Sequence, residues 1–181
     1  LAKEVLCVEI DGRLCDLSAK LVSDAKIKFY KFSDPEGQEL YWHSTSHIMA
    51  QAVIRLFPGT RVAIGPAIEQ GFYYDFEHEP FTDEDLLKVE AEVNRIIKEN
   101  QKFERKEVSR EEALDFFRSK NEIYKVELIE ALPEDAVISM YTNGEFTDLC
   151  RGPHILSTGT IKKFKTLATS GAYWRGDSKN A

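Results

Sequence analysis

The chain has 181 residues, a length typical of one ordinary domain or of a domain with an attached fragment. Its apolar share of 43% allows a real hydrophobic core. The formal net charge of −7 excludes a polybasic protein, so any contact with nucleic acid has to be local. The longest apolar stretch is too short for a membrane span.

The three cysteines do not make an even disulfide framework. Cys7 lies in an apolar run and Cys15 follows Leu14, which indicates buried free thiols. The first 12 residues lack the basic and long apolar regions of a signal peptide. We therefore expect a protein of the cytoplasm, or of the matrix or stroma of an organelle.

The first 36 residues predict two or three strands, at 5–10 and 26–32, with the turn signal Asp11-Gly12 between them. Asp34-Pro-Glu-Gly37 is a cluster of helix and strand breakers and the best candidate domain boundary. So short a piece cannot hold a core alone. It must pack on the rest of the chain or belong to a domain whose start is missing.

The remaining elements alternate between helix and strand. A helix over 43–57, ended by Pro58-Gly59, precedes strands at 61–64 and 72–77. Helices then follow capping-box patterns at Thr82 and Ser109. The later elements are helices to about residue 100, over 110–119 and over 122–132, strands at 136–141 and 145–149, and an apolar-alternating region at 161–174. Since βαβ regularity is absent, we predict an α+β fold with an antiparallel sheet packed by helices.

Two short motifs carry the chemistry: His43-Ser-Thr-Ser-His47 and Cys150-Arg-Gly-Pro-His154. Two histidines four apart on a helix share one face, and imidazole and thiol are zinc ligands and acid–base groups. Together the motifs predict one metal or catalytic pocket, although either motif alone fits a packing or surface role. Zinc-protease chemistry is disfavoured because serine, not glutamate, follows the first histidine.

Four further residues gain meaning from this pocket. Asp148 lies two residues before Cys150, so an extended strand would point both side chains the same way. Tyr73 and Tyr74, in Gly71-Phe-Tyr-Tyr-Asp75, predict either a core strand or a wall on which a base or ribose stacks. Lys125 by itself would be a surface lysine.

Five strings, in this order and spacing, resemble the editing region of bacterial-type or organellar threonyl-tRNA synthetases. The strings are HSTSHIMAQAV, GPAIEQGFYYDF, YKVELI, FTDLCRGPHI and TSGAYWRGDSKN. The resemblance covers about residues 38–181, and residues 1–36 look like the latter half of the small β-grasp domain that precedes editing in that family. It implies a partial β-grasp unit at 1–36, an editing domain at 37–168, and at 169–181 the start of a linker to an aminoacylation domain.

The family ligates threonine to tRNA(Thr) with ATP and hydrolyses serine attached to it by mistake. The resemblance therefore implies an esterase that acts on the seryl-adenosine moiety at the tRNA acceptor end. Since the chain ends where the family continues, we expect no threonine activation by this piece alone. We also expect a monomer, whereas the parent enzyme would be a homodimer.

By the same resemblance, His43, Lys125, Asp148, Cys150 and His154 would be catalytic. His47, Tyr73 and Tyr74 would bind substrate. Lys125 would hold the attacking water, His43 would contact the terminal ribose, and Asp148 would bind the serine ammonium or hydroxyl. The family motif can work without a cofactor, but related alanyl-type domains hold zinc in it, so zinc on His43, His47, Cys150 and His154 stays open.

Two other functions remain as alternatives. A truncated piece could dock the acceptor end without hydrolysis, using the basic strings Lys162-Lys163-Phe-Lys165 and Arg105-Lys106. A metal-dependent hydrolase of small esters or amides would not need tRNA. Hydrolysis that depends on tRNA would favour the editing esterase, binding without hydrolysis the docking module, and hydrolysis that depends on metal the small-ester hydrolase.

Overall fold

The computed structural model describes residues 4–172 and residue 174. Helices and antiparallel strands interleave along this part of the chain, which confirms the predicted α+β class. The helices are α1 (Pro35–Leu56), α2 (Asp83–Glu99), α3 (Arg110–Ser119) and α4 (Ile123–Glu130). The strands are β1 (Val5–Ile10), β2 (Arg13–Cys15), β3 (Ile27–Lys31), β4 (Arg61–Val62), β5 (Ala67–Ile68), β6 (Gly71–Phe72), β7 (Phe76–Glu77), β8 (Glu104–Val108), β9 (Ile138–Asn143) and β10 (Phe146–Leu149).

The N-terminal sheet has the order β2-β1-β3. Asp11 and Gly12, with φ of 48° and 83°, form the tight turn between β1 and the three-residue β2. The turn therefore joins β1 to the short strand β2. The strand predicted at 26–32 corresponds to β3, which pairs with the other edge of β1. Cys7 is buried in this sheet, whereas the expectation of a buried thiol is wrong for Cys15, which is partly exposed.

Helix α1 begins earlier than the sequence suggested. Asp34 has extended backbone angles at the N-cap, and Pro35 occupies the first helical position, where its missing N–H costs no hydrogen bond. The breaker cluster therefore supplies the N-cap and the first turn of the helix. Gly37 allows the first turn to approach β3, because a Cβ there would lie 2.0 Å from the Lys31 carbonyl oxygen.

The second sheet has the order β10-β9-β8, with α3 and α4 against it. The strands β9 and β10 lie where the sequence predicted them, but β8 was missed. The sequence of β8 is Glu-Arg-Lys-Glu-Val, and its first four side chains are exposed. An edge strand of this kind carries no apolar alternation by which it could be recognised.

Both capping-box patterns correctly predicted where a helix begins, but only one of the two boxes is fully formed. Thr82 and Asp85 exchange both bonds of a capping box at the start of α2. At α3 the Ser109 hydroxyl accepts from the Glu112 backbone, but the Glu112 carboxylate accepts from Lys106 instead of returning to the cap. The second capping box is therefore only half formed.

Residues after β10 contain little regular structure. A 3-10 turn spans Thr158–Thr160, and the apolar-alternating region predicted at 161–174 forms no strand within its described residues. Phe164 instead stacks on Phe72 with ring centroids 6.3 Å apart. Of the predicted linker at 169–181, only 169–172 and 174 lie among the described residues.

The largest hydrophobic core joins the N-terminal sheet to the rest of the molecule. Its buried members come from the N-terminal sheet, from α1 and α2, and from the second sheet and the segment beyond it. They include Leu6, Cys7, Tyr30, Leu40, Ile48, Val93, Ile96, Tyr141 and Ile155. The N-terminal sheet therefore packs on the remaining chain. This was one of the two ways in which so short a segment was expected to be stabilised. No helix among the described residues is long and apolar enough to cross a bilayer.

Candidate active site

The middle of α1 carries both residues of the first motif. His43 and His47 are one helical turn apart, and their ring centroids are separated by 4.9 Å in an edge-to-face arrangement. His47 is buried, whereas His43 is partly exposed. The helix thus presents two imidazoles to one side.

The end of β10 and the turn after it carry the second motif. Asp148 lies in the strand, and Cys150 and His154 follow it. Gly152 has φ of 69° in this turn, and a Cβ on it would lie 2.1 Å from the Tyr141 hydroxyl oxygen. The turn therefore needs glycine at this position, and it brings His154 back towards Cys150.

The two motifs meet, as the sequence predicted. The Cys150 Sγ lies 3.0 Å from His43 Nε2 and 3.3 Å from His154 Nε2. One ligand atom from each of His43, His47, Cys150 and His154 falls within 4.8 Å of the others, so the group could bind a metal ion. The His154 ring is fully buried between the rings of His43 and Phe103, at centroid distances of 4.7 and 4.9 Å.

A second group lies beside this cluster. Lys125, from α4, forms an ion pair with Asp148 at 2.5 Å, and both side chains are 3% exposed. The Tyr74 hydroxyl donates to Asp148 Oδ2 at 2.6 Å and accepts from the Lys125 ammonium at 3.2 Å. The surface role that Lys125 would have on its own is therefore wrong.

Asp148 also connects the two groups. Its Oδ2 lies 3.7 Å from His47 Nε2. The other ring nitrogen of His47 is buried and has no hydrogen-bond partner. His47 is thus the imidazole of the histidine–cysteine cluster that lies next to the Lys125–Asp148 pair.

Burial decides the charge state of the cluster. Loss of solvent lowers the pKa of His43, and it lowers the pKa values of His47 and His154 well below their usual range. Burial also raises the pKa of the Cys150 thiol to about 12 and that of Tyr74 well above its ordinary value. At neutral pH these groups are therefore uncharged beside the Lys125–Asp148 pair.

Tyr73 lies apart from the bonded groups. Its side chain is 42% exposed, and it lines an open groove of about 1420 Å³ between α1, the β6–β7 segment and residues 163–172. Tyr74 lines the same groove while its hydroxyl bonds Asp148. The tyrosine pair therefore stands between the groove and the buried cluster.

Ser44 and Asp16 contact the cluster but were not predicted. Ser44 Oγ lies 2.9 Å from His154 Nδ1, and Asp16 Oδ1 accepts from the His154 backbone at 2.7 Å. Ser44 has a weak signal, since it lies between two singled-out histidines. Asp16 has none, because its contact spans 138 residues of sequence.

A known family model matches the part of the chain that carries the second motif. Residues 138–181 match the family model described as the threonyl and alanyl tRNA synthetase second additional domain. This segment contains Asp148, Cys150 and His154. The second motif of the site thus lies inside the matched region.

Similar curated proteins cover the whole chain. It is 55%, 54% and 54% identical over 181 residues to the threonine–tRNA ligases of Carboxydothermus hydrogenoformans, Desulforamulus reducens and Clostridium botulinum. These alignments include 99% of this chain, which spans 28% of the length of each relative. The chain therefore belongs to the threonyl-tRNA synthetase family, of which it represents an N-terminal region.

Proposed function

We propose that this chain is the editing region of a threonyl-tRNA synthetase and hydrolyses serine mischarged on tRNA(Thr). The observation that carries the proposal is the meeting of both motifs around Cys150, with the Lys125–Asp148 pair beside them. The names of the relatives suggest tRNA as the substrate, and the buried acid–base cluster has the groups that ester hydrolysis needs. In the longer protein, this region would accompany a domain that ligates threonine to tRNA(Thr) with ATP.

The need for such a site follows from the size of the substrate. Serine lacks one methyl group of threonine, and a missing methylene changes binding by only about 1–3 kcal/mol. A synthetic site that accepts threonine therefore also accepts some serine. A smaller hydrolytic pocket can admit serine and exclude threonine sterically, which gives a second selection step.

Lys125 is suited to hold the attacking water. An ammonium group has three N–H donors, of which Asp148 and Tyr74 accept two. The third can donate to a water molecule beside the ester carbonyl. The oxygen of that water attacks the carbonyl carbon, and the ester bond to the ribose oxygen then breaks. No acyl-enzyme is required.

His43 is suited to orient the leaving group. Its Nε2 faces Cys150 at 3.0 Å, so a ribose hydroxyl entering the site would take the place of the thiol as its hydrogen-bond partner. Oriented by the neutral imidazole, that hydroxyl gives its proton to the ribose oxygen that leaves and takes up the proton that the attacking water loses. Asp148 would hold the serine ammonium or hydroxyl, and Cys150 and His154 would shape the pocket. His47, Tyr73 and Tyr74 would contact the seryl-adenosine.

The chemistry proposed here needs no cofactor, although the donor set also suits zinc. Three imidazoles and one thiol are the ligands that zinc prefers, and two of the rings have partners on their other nitrogen. His43, His47, Cys150 and His154 would hold the ion. When bound, zinc would polarise the ester carbonyl.

The proposal also covers the domain organisation, location and oligomeric state of the chain. The chain would divide into a β-grasp remnant at 1–36 and an editing domain at 37–168, with a linker starting at 169. The chain would act in the cytoplasm or in an organellar matrix, and it would be a monomer outside the longer enzyme. Sedimentation at micromolar concentration would detect a dimer and contradict the last point.

The decisive experiment compares deacylation of seryl-tRNA(Thr) and threonyl-tRNA(Thr), each with and without a chelator. Release of serine that spares threonine and ignores the chelator is the expected result. Binding without release would favour an acceptor-end docking module. Loss of release with chelator would assign zinc a role, and hydrolysis of small esters without tRNA would favour a general metal-dependent hydrolase.

A further inference from the structure

The hydrogen bonds around Cys150 form one continuous chain that begins and ends on the backbone. The Ile155 N–H donates to Ser44 Oγ at 3.0 Å, and Ser44 Oγ lies 2.9 Å from His154 Nδ1. His154 Nε2 is next to Cys150 Sγ, and Cys150 Sγ is next to His43 Nε2. The chain closes with His43 Nδ1, which lies 3.3 Å from the Gly65 carbonyl oxygen.

The backbone groups fix the direction of every bond in this chain. At one end, the Gly65 carbonyl can only accept, so His43 Nδ1 carries the proton and His43 Nε2 is a lone pair. The thiol hydrogen of Cys150 must then point to His43. Because Cys150 has no second hydrogen, His154 Nε2 must be the donor to it.

The other end of the chain of bonds is compatible with the same assignment. The Ile155 N–H can only donate, so Ser44 Oγ already acts as an acceptor there. The one hydroxyl hydrogen of Ser44 then goes to His154 Nδ1, the remaining partner of that oxygen. His154 Nδ1 is therefore a lone pair, and the proton of this neutral ring lies on Nε2.

We propose that Ser44 is a positioning residue of this site, which fixes the tautomer of His154 and, through Cys150, keeps a lone pair on His43 Nε2. That lone pair faces the position where a substrate hydroxyl would bind in the proposed deacylation, on which this inference rests. Ser44 is fully buried, and the one side chain to which its hydroxyl is bonded among the described residues is His154, so its effect on the site passes through that ring. Outer partners of this kind set ring orientation and tautomer in other histidine sites.

Thr158 provides a control. Its side chain is fully buried and does not line the groove, and its hydroxyl donates to the Ile96 carbonyl at 2.8 Å instead of to a ring. Thr158→Ala removes a buried hydroxyl without touching the chain of bonds. Ser44→Thr keeps the hydroxyl and tests for rescue.

The first test reads the tautomers directly, in the 181-residue chain with ring-15N-labelled histidine and a chelator present. The protein has four histidines, so long-range proton–nitrogen correlations can resolve each ring. We expect a proton on Nε2 of His154 and on Nδ1 of His43, and loss of the single His154 tautomer in Ser44→Ala. A proton on Nδ1 of His154 in the unaltered protein would overturn the inference, even if Ser44→Ala did not fold.

The second test measures seryl-tRNA(Thr) deacylation. Ser44→Ala should lower kcat by about 10- to 100-fold, with KM little changed. Thr158→Ala should keep the original rate, and Ser44→Thr should recover part of it. A Ser44→Ala variant with full activity or unchanged tautomers would overturn the inference. Absence of deacylation in the unaltered protein would instead defeat the proposed function, while the tautomers still decide the role of Ser44.

Discussion

Lys125 and Asp148 show how one pair of residues can serve both stability and chemistry. The two charges lie 2.5 Å apart and are almost fully removed from water. Removing one partner of such a pair leaves the other charge buried without compensation. The requirement for the pair is therefore structural as well as chemical, and an activity measurement alone cannot separate the two roles.

Lys125→Ala should abolish serine release and lower the free energy of unfolding by about 3–5 kcal/mol. The double variant Lys125→Ala/Asp148→Asn removes both charges, so it should recover much of the stability but none of the activity. Deacylation assays and urea denaturation check the two effects. Lys98→Ala, which alters an exposed lysine of α2, serves as the control. Full activity in Lys125→Ala would exclude a role for the ammonium in holding water.

The buried imidazoles predict how stability depends on pH. Burial lowers the pKa values of His43, His47 and His154, so below the ordinary value near 6.5 the unfolded chain binds more protons than the folded protein. Stability should be complete above pH 6.5 and fall as the pH decreases from there, by up to about 1.4 kcal/mol per pH unit for each imidazole.

Urea denaturation between pH 8 and 5, with a chelator present, measures this slope. A free energy of unfolding that is constant between pH 7 and 5 would mean that the cluster accepts protons freely in the folded state.

At the level of elements, Gly37 shows how closely α1 approaches the N-terminal sheet. Gly37→Ala would place a Cβ 2.0 Å from a backbone oxygen of Lys31, which cannot move aside as a side chain can. We expect a loss of about 1–3 kcal/mol of stability, seen as a lower urea midpoint. Gly171→Ala meets no atom within 4 Å and should leave the midpoint in place. Equal midpoints for both variants would show that the helix can shift to accommodate a methyl group.

The same helix shows what sequence patterns could and could not predict. The spacing of His43 and His47 correctly indicated a helix with both rings on one face, because periodicity is a local property. The start of α1 was missed because Asp-Pro-Glu-Gly is compatible with both a turn and a helix N-terminus. The partners of Ser44 and Asp16 depend on which distant segments meet, and no local pattern contains that information.

In the whole molecule, the N-terminal sheet is connected to the candidate active site through Asp16. Its carboxylate accepts from the His154 backbone at 2.7 Å and from the Tyr141 hydroxyl at 2.8 Å. Tyr141 in turn lies against Gly152, in the turn that carries His154. The sheet is thus part of the support of the site, in addition to its share of the core.

Asp16→Ala should therefore weaken deacylation although residue 16 lies far from the motifs in sequence. Two donors would lose their acceptor, at a cost of about 1–3 kcal/mol each if water cannot replace it. We expect about a tenfold lower rate, measured with seryl-tRNA(Thr). Asp24→Ala, in an exposed loop of the same N-terminal segment, should match the unaltered protein. If both variants were fully active, the sheet would not support catalysis.

The neutral state of the three imidazoles has a consequence for the form in which substrate is accepted. Before anything enters the site, the Lys125 ammonium and the Asp148 carboxylate already compensate each other's charge. A protonated serine amine would bring a second cation to the same carboxylate. In the proposed deacylation, a serine ammonium would therefore share the Asp148 carboxylate with Lys125, whereas the serine hydroxyl would bring no charge.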